Sequence, residues 1–111
     1  MTELQEWLTL SQAGELLNVS PNRVRQFIRE GQLVGIRRDR EQQVPAAFID
    51  DSGIVKGLPG TITLLRDAGY SDEEVLAWLT TADDSLPGTP IQALRENRGT
   101  EVKRRAQAAG F

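Results

Sequence analysis

Between Ser20 and Arg40 the chain carries six arginines (Arg23, Arg25, Arg29, Arg37, Arg38 and Arg40) against two acids, Glu30 and Asp39. Asn22, Arg25 and Arg29 recur at i, i+3 and i+7, so a helix would place them on one face, with Arg23 and Gln26 flanking them. An arginine can donate two hydrogen bonds to the edge of guanine, and an asparagine or glutamine can pair with adenine, so this set is able to read base edges. Arg37, Arg38 and Arg40 follow as a second basic group, suited to phosphate oxygens or a minor groove. The plain alternative is a solvated helix face followed by an exposed turn, with the later arginines paired to Asp39 and Glu41.

Other chemistry has little to work with. The sequence contains no cysteine and no histidine. That excludes disulfides, thiolate or imidazole metal ligation, and the usual general base near neutral pH. Asp72, Glu73 and Glu74 follow Ser71 as the acidic first turn of a helix, which capping and the helix dipole explain. Asp83 and Asp84 are two loop acids without a third ligand. The expectation is a chain with no catalytic residues, no metal and no cofactor.

The elements that must hold the arginines are legible nearby. Ser11 is read as opening a first helix, with Ala13, Leu16 and Leu17 as its apolar side. Asn18 tolerates the left-handed turn that follows, and Val19 pins it. Ser20 is an N-cap and Pro21 takes the first helical position. Val24, Phe27 and Ile28 make the buried face of the second helix, and Gly31 stops it. This is the pattern of a helix-turn-helix, whose second helix enters a major groove. Leu33, Val34 and Ile36 then suggest a strand, Arg38 to Glu41 a turn, and Gln43 to Pro45 a returning strand that Phe48 and Ile49 continue. A hairpin placed there is a wing with Arg37, Arg38 and Arg40 at its tip.

On either side the spacing predicts more helix. Leu4, Trp7 and Leu8 read as a short helix, with Trp7 as a packing anchor. In the second half, Gly57, Pro59 and Gly60 read as a loop, and Thr61 as the cap of a helix that Gly69 ends. Ser71 and Glu74 form a capping box ahead of Val75, Trp78 and Leu79. Pro87 and Gly88 close a loop, and Pro90 starts a helix through Ile91 and Leu94. Thr100 is read as capping the last helix, with Val102 and Ala106 inward and Lys103, Arg104 and Arg105 outward. The expected fold is mainly α: a winged helix-turn-helix with a small β-hairpin wing and a C-terminal helical extension. Residues 1–56 form the DNA-binding part and residues 57–111 the extension, packed into the same domain.

Charge follows this division. The net charge of the 111 residues is −3, which looks unfavourable for a polyanion partner. Yet residues 41–94 hold nine acids and two basic groups, whereas residues 95–111 hold five basic groups and two acids. A duplex responds to the local patch within a Debye length and not to the sum. The opening MTELQEWLTL lacks the basic start of a secretory signal, and no apolar run reaches membrane-spanning length. A cytoplasmic protein without membrane contact is expected. No heptad seam indicates an oligomeric state.

The stretch SQAGELLNVSPNRVRQFIREGQLVGIRR resembles the N-terminal half of the MerR and excisionase type of winged helix. Together with Leu33 to Ile54, VKGLPGTITLLRDAGYSDEEVLAWL and VKRRAQAAGF, it resembles a small actinobacterial family of winged-helix DNA-binding proteins. The mycobacterial member of that family is a substrate of the serine/threonine kinase PknL. The resemblance runs from Trp7 to the end, and it implies DNA binding and a serine/threonine protein kinase as a further partner. Two features depart from it. The chain starts almost at the domain, without a long N-terminal tail that could carry kinase control, and the wing reads RDREQQ, so its contacts need not carry over. The stretch WLTTADDSLPGTPIQALRENRGTEVKRRAQ is also similar to the C-terminal segment of Xre/ParS-type antitoxins, which implies a protein-contact role for that half. The expected function is double-stranded DNA binding, as a transcriptional regulator or nucleoid-linked factor. The alternative is an interaction adaptor that kept the fold without DNA binding.

Overall fold

The computed structural model describes residues 6–82 and 88–109. A strand β1 (Trp7–Thr9) leads into helices α1 (Leu10–Leu17) and α2 (Pro21–Arg29). Strands β2 (Ile36–Arg38) and β3 (Glu41–Pro45) follow, then a 3-10 turn (Ala46–Phe48) and a small hairpin of β4 (Ile49–Asp50) and β5 (Gly53–Ile54). Four helices complete the chain: α3 (Leu58–Asp67), α4 (Asp72–Thr80), α5 (Pro90–Arg95) and α6 (Gly99–Ala108). Winged helix-turn-helix and helical extension are both present, as the spacing predicts.

The N-terminal segment corrects the sequence reading. Trp7 and Leu8 lie in a strand, not a helix; Leu4 falls outside the described residues. The strand pairs antiparallel with β3, Trp7 opposite Pro45, Leu8 opposite Val44 and Thr9 opposite Gln43. The open edge of β3 takes their backbone groups in place of a helical turn. β3 thereby becomes the central strand of a three-stranded sheet in the order β1-β3-β2.

The first helix also starts earlier than expected. Thr9, not Ser11, is its cap: the Thr9 hydroxyl accepts from the Gln12 amide at 3.1 Å, and the Gln12 side chain accepts from the Thr9 amide at 2.9 Å. This reciprocal pair satisfies two orphan donors. Starting at Leu10 puts Leu10, Ala13, Gly14 and Leu17 on the inward stripe at i, i+3, i+4 and i+7. Leu16 falls outside the stripe and is 60% exposed, contrary to its expected burial. Asn18 does take the left-handed conformation, at φ 61°. Gly14 makes the turn possible: a Cβ there would lie 2.6 Å from the Val19 carbonyl oxygen, and the Val19 amide donates to the Gly14 carbonyl at 2.9 Å.

Three boundaries farther on differ as well. Leu33 and Val34 are fully buried ahead of β2 and not part of it, and Phe48 sits in the 3-10 turn, not in an extended stretch. The third helix begins at Leu58, because Gly57 is its cap at φ 87° and Leu58 is fully buried. Pro59 and Gly60 are therefore helical, and Thr61 is a buried residue whose hydroxyl donates to the Gly57 carbonyl at 2.9 Å. At the last helix Asn97 reverses the chain at φ 65° and the Arg98 amide bonds back to the Ala93 carbonyl at 2.8 Å. The helix then starts at Gly99, so Thr100 lies within it and does not cap it.

The Ser71–Glu74 capping box is present, at 3.2 and 2.8 Å. Thr89 and Gln92 form another ahead of α5, with Pro90 at its start. Asp83, Asp84 and Pro87 lie outside the described residues. One apolar core joins both halves: Val24, Ile28, Leu33, Val44 and Phe48 pack in the same cluster as Leu58, Ile62, Val75, Leu94 and Val102. Among the described residues, no helix is long and apolar enough to cross a membrane.

Candidate nucleic-acid interface

The second helix is built as its sequence directs. The Ser20 hydroxyl accepts from the Arg23 amide at 3.1 Å, and Pro21 occupies the first turn. Val24 and Ile28 are buried and Phe27 is half-buried against the core. This anchoring turns Asn22, Arg25 and Arg29 outward, where all three are exposed.

Their surroundings differ. The Arg25 guanidinium donates to the Asn22 carboxamide oxygen at 2.7 Å, so the two polar groups are held together on the outer face. Asn22 then keeps its NH₂ free to donate, and Arg25 keeps its remaining donors, so the pair presents a donor-rich edge. Arg23 is exposed but lies with its guanidinium 4.6 Å above the Phe27 ring. Gln26 is half-buried and its amide donates to Glu30 at 3.0 Å, which ties it along the helix. Geometry thus separates a forward pair, Asn22 and Arg25, from two flanking residues already engaged within their own helix.

The wing is a tight hairpin. Ile36 faces Gln43, Arg37 faces Gln42 and Arg38 faces Glu41, leaving Asp39 and Arg40 alone at the turn. Both have positive φ, 51° and 70°, the signature of the two-residue turn whose twist matches a hairpin. Arg37, Arg38 and Arg40 are exposed. None of the six arginines between Ser20 and Arg40 forms an ion pair with an acid among the described residues. The alternative pairing with Asp39 and Glu41 is therefore not what holds them.

The three wing arginines do not act as one cluster. Successive strand residues face opposite sides of a sheet, so Arg37 and Arg38 point apart. Arg38 lies on the same face as Trp7, and its guanidinium sits 4.3 Å from the centroid of the Trp7 ring. Trp7 was legible only as a packing anchor, because its partner is remote in sequence and meets it through the shared strand β3. Lys103, Arg104 and Arg105 are exposed on α6.

Residues 2–49 match the family model described as the DNA-binding protein Rv2175c, wHTH domain, and residues 55–110 match the Rv2175c C-terminal domain of unknown function. The chain belongs to the Rv2175c family. The DNA-binding protein Rv2175c of Mycobacterium tuberculosis is 41% identical over a gapped alignment of 115 positions, which covers 92% of this chain and 79% of that protein. The NMR structure of Rv2175c superposes with a TM-score of 0.88 at 35% identity, covering 100% of this chain and 85% of that one. The Rv2175c-family assignment bears out the actinobacterial winged-helix resemblance carried by the sequence. The two family matches are separated by residues 50–54, which hold most of the β4–β5 hairpin.

Proposed function

We propose that this protein binds double-stranded DNA, with α2 in the major groove and the β2–β3 wing against the flanking backbone, as a transcriptional regulator or nucleoid-linked factor. The observation that carries this is the set of six exposed arginines on recognition helix and wing, none of them neutralised by an acid among the described residues. Membership of the Rv2175c family, whose Mycobacterium tuberculosis relative is named a DNA-binding protein, supports it. Residues 1–56 supply the DNA-binding part and 57–111 the extension. Asn22 and Arg25 read base edges; Arg29, Arg37, Arg38 and Arg40 contact phosphates, with Arg23 and Gln26 at the margin. The protein carries out no reaction of its own, since its sequence offers neither histidine nor cysteine for one. It works in the cytoplasm on the nucleoid, and a serine/threonine kinase is a second partner.

The test is a titration of duplex DNA at several salt concentrations. Binding whose log affinity falls steeply with log salt supports phosphate contact by the arginines. A second reading, an interaction adaptor, is favoured by the net charge of −3 and by the exposed Leu16. Absence of duplex binding at low salt would select it.

A further inference from the structure

Two arginines of the C-terminal helices reach back into the DNA-binding half. Arg66, in the last turn of α3, donates to Asp72 at 2.8 and 3.2 Å and extends to the Ile28 carbonyl at 3.5 Å. Its guanidinium lies against the turn that ends the recognition helix: a Cβ on Gly31 would meet it at 3.1 Å. The Ile28 carbonyl also accepts from the Gly31 amide at 3.2 Å, and it lies at the negative end of the helix, so a cation fixed there is well placed. Arg95, at the end of α5, donates to the Ala47 carbonyl at 2.8 Å and the Ile49 carbonyl at 3.2 Å. Those carbonyls belong to the segment that leaves the wing strand β3.

We infer that the C-terminal domain is the positioning frame for DNA recognition, with Arg66 clamping the end of α2 and Arg95 clamping the base of the wing. Neither residue needs to touch DNA. Asp72 holds the Arg66 guanidinium from the α4 side and so couples α4 to the recognition helix. This rests on the DNA-binding reading for its consequence, but the clamps themselves are properties of the free protein.

The experiment uses the full chain with Arg66→Met and Arg95→Met, and with Asp72→Ala, which keeps the guanidinium but removes the oxygen that accepts both of its bonds. Amide hydrogen exchange is measured on each, alongside titration of a duplex selected from a random pool and of a random duplex. For Arg66→Met the expected result is exchange faster by about tenfold at Gly31 and Gln32, with Val102 unchanged. Affinity for the selected duplex falls about tenfold while random duplex changes less than about twofold, at an unaltered salt slope. Arg95→Met gives the same binding pattern, with faster exchange at Val55, whose amide bonds to the Phe48 carbonyl between the two clamped carbonyls. Asp72→Ala gives a smaller loss in the same direction and serves if Arg66→Met does not fold. Unchanged exchange at Gln32 overturns the Arg66 clamp. Equal loss on both duplexes with a shallower salt slope makes Arg66 a phosphate contact instead. If the unaltered protein binds neither duplex, the DNA reading fails, and the exchange data alone decide the clamps.

Discussion

Arg40 sits at the wing tip with φ 70°, a conformation that costs a side chain with a Cβ about 1–2 kcal/mol. Replacing Arg40 with Gly removes that cost. Against it stands the greater freedom of glycine in the unfolded chain, roughly 0.5–1 kcal/mol. The balance is a gain of about 0.5–1 kcal/mol, or about 2–4 °C in melting temperature for a domain of this size. No ion pair among the described residues is lost, since Arg40 makes none. Binding moves the other way. One fewer phosphate contact lowers the salt slope by about one unit and weakens selected and random duplex alike. The assays are a thermal melt followed by circular dichroism and an anisotropy titration at several salt concentrations. Greater stability with weaker binding marks a strained residue retained for contact. A lower melting temperature refutes the strain argument, and an unchanged salt slope refutes the contact.

Other substitutions test other links. Gly14→Ala raises helix propensity by about 1 kcal/mol in isolation, yet here it drives a Cβ into the Val19 carbonyl; the urea midpoint should fall by the equivalent of about 1–3 kcal/mol. Arg25→Ala should leave stability within about 0.5 kcal/mol and cost about 1–3 kcal/mol at a selected site, with relaxed sequence preference, read by competition binding. Arg38→Ala should weaken all duplexes and lower the salt slope by about one unit. Trp7→Leu should loosen the hairpin by about 0.5–1 kcal/mol while Trp7→Phe retains most of the stack, seen in exchange at the β2–β3 amides.

What the sequence disclosed was what neighbours three or four residues apart decide. The Ser20 cap, the inward Val24 and Ile28, the outward Asn22, Arg25 and Arg29, and the Ser71–Glu74 box are all of this kind. What it concealed depended on partners far along the chain. Trp7 and Leu8 have helical spacing, but an open strand edge near Val44 decided their conformation. Leu16 is as apolar as Leu17, and only the register set by the Thr9 cap turned it outward. In the site, the arginines were legible by type, but their engagement was not: Arg38 on Trp7 and Gln26 on Glu30 follow from tertiary and rotamer geometry. The reach of Arg66 and Arg95 into the DNA-binding half carried no local signal, because the backbone carbonyls they meet lie 38 and at least 46 positions away.

The stack of Arg38 on Trp7 also makes the wing its own optical probe. An indole responds to charge held over its ring, and this one carries a cation that duplex phosphates would draw away. The chain has only two tryptophans, and the other, Trp78, lies half-buried on α4. With Trp78 exchanged for phenylalanine, indole emission excited beyond the tyrosine band would come from Trp7 alone, and engagement of the hairpin could be timed separately from insertion of the helix.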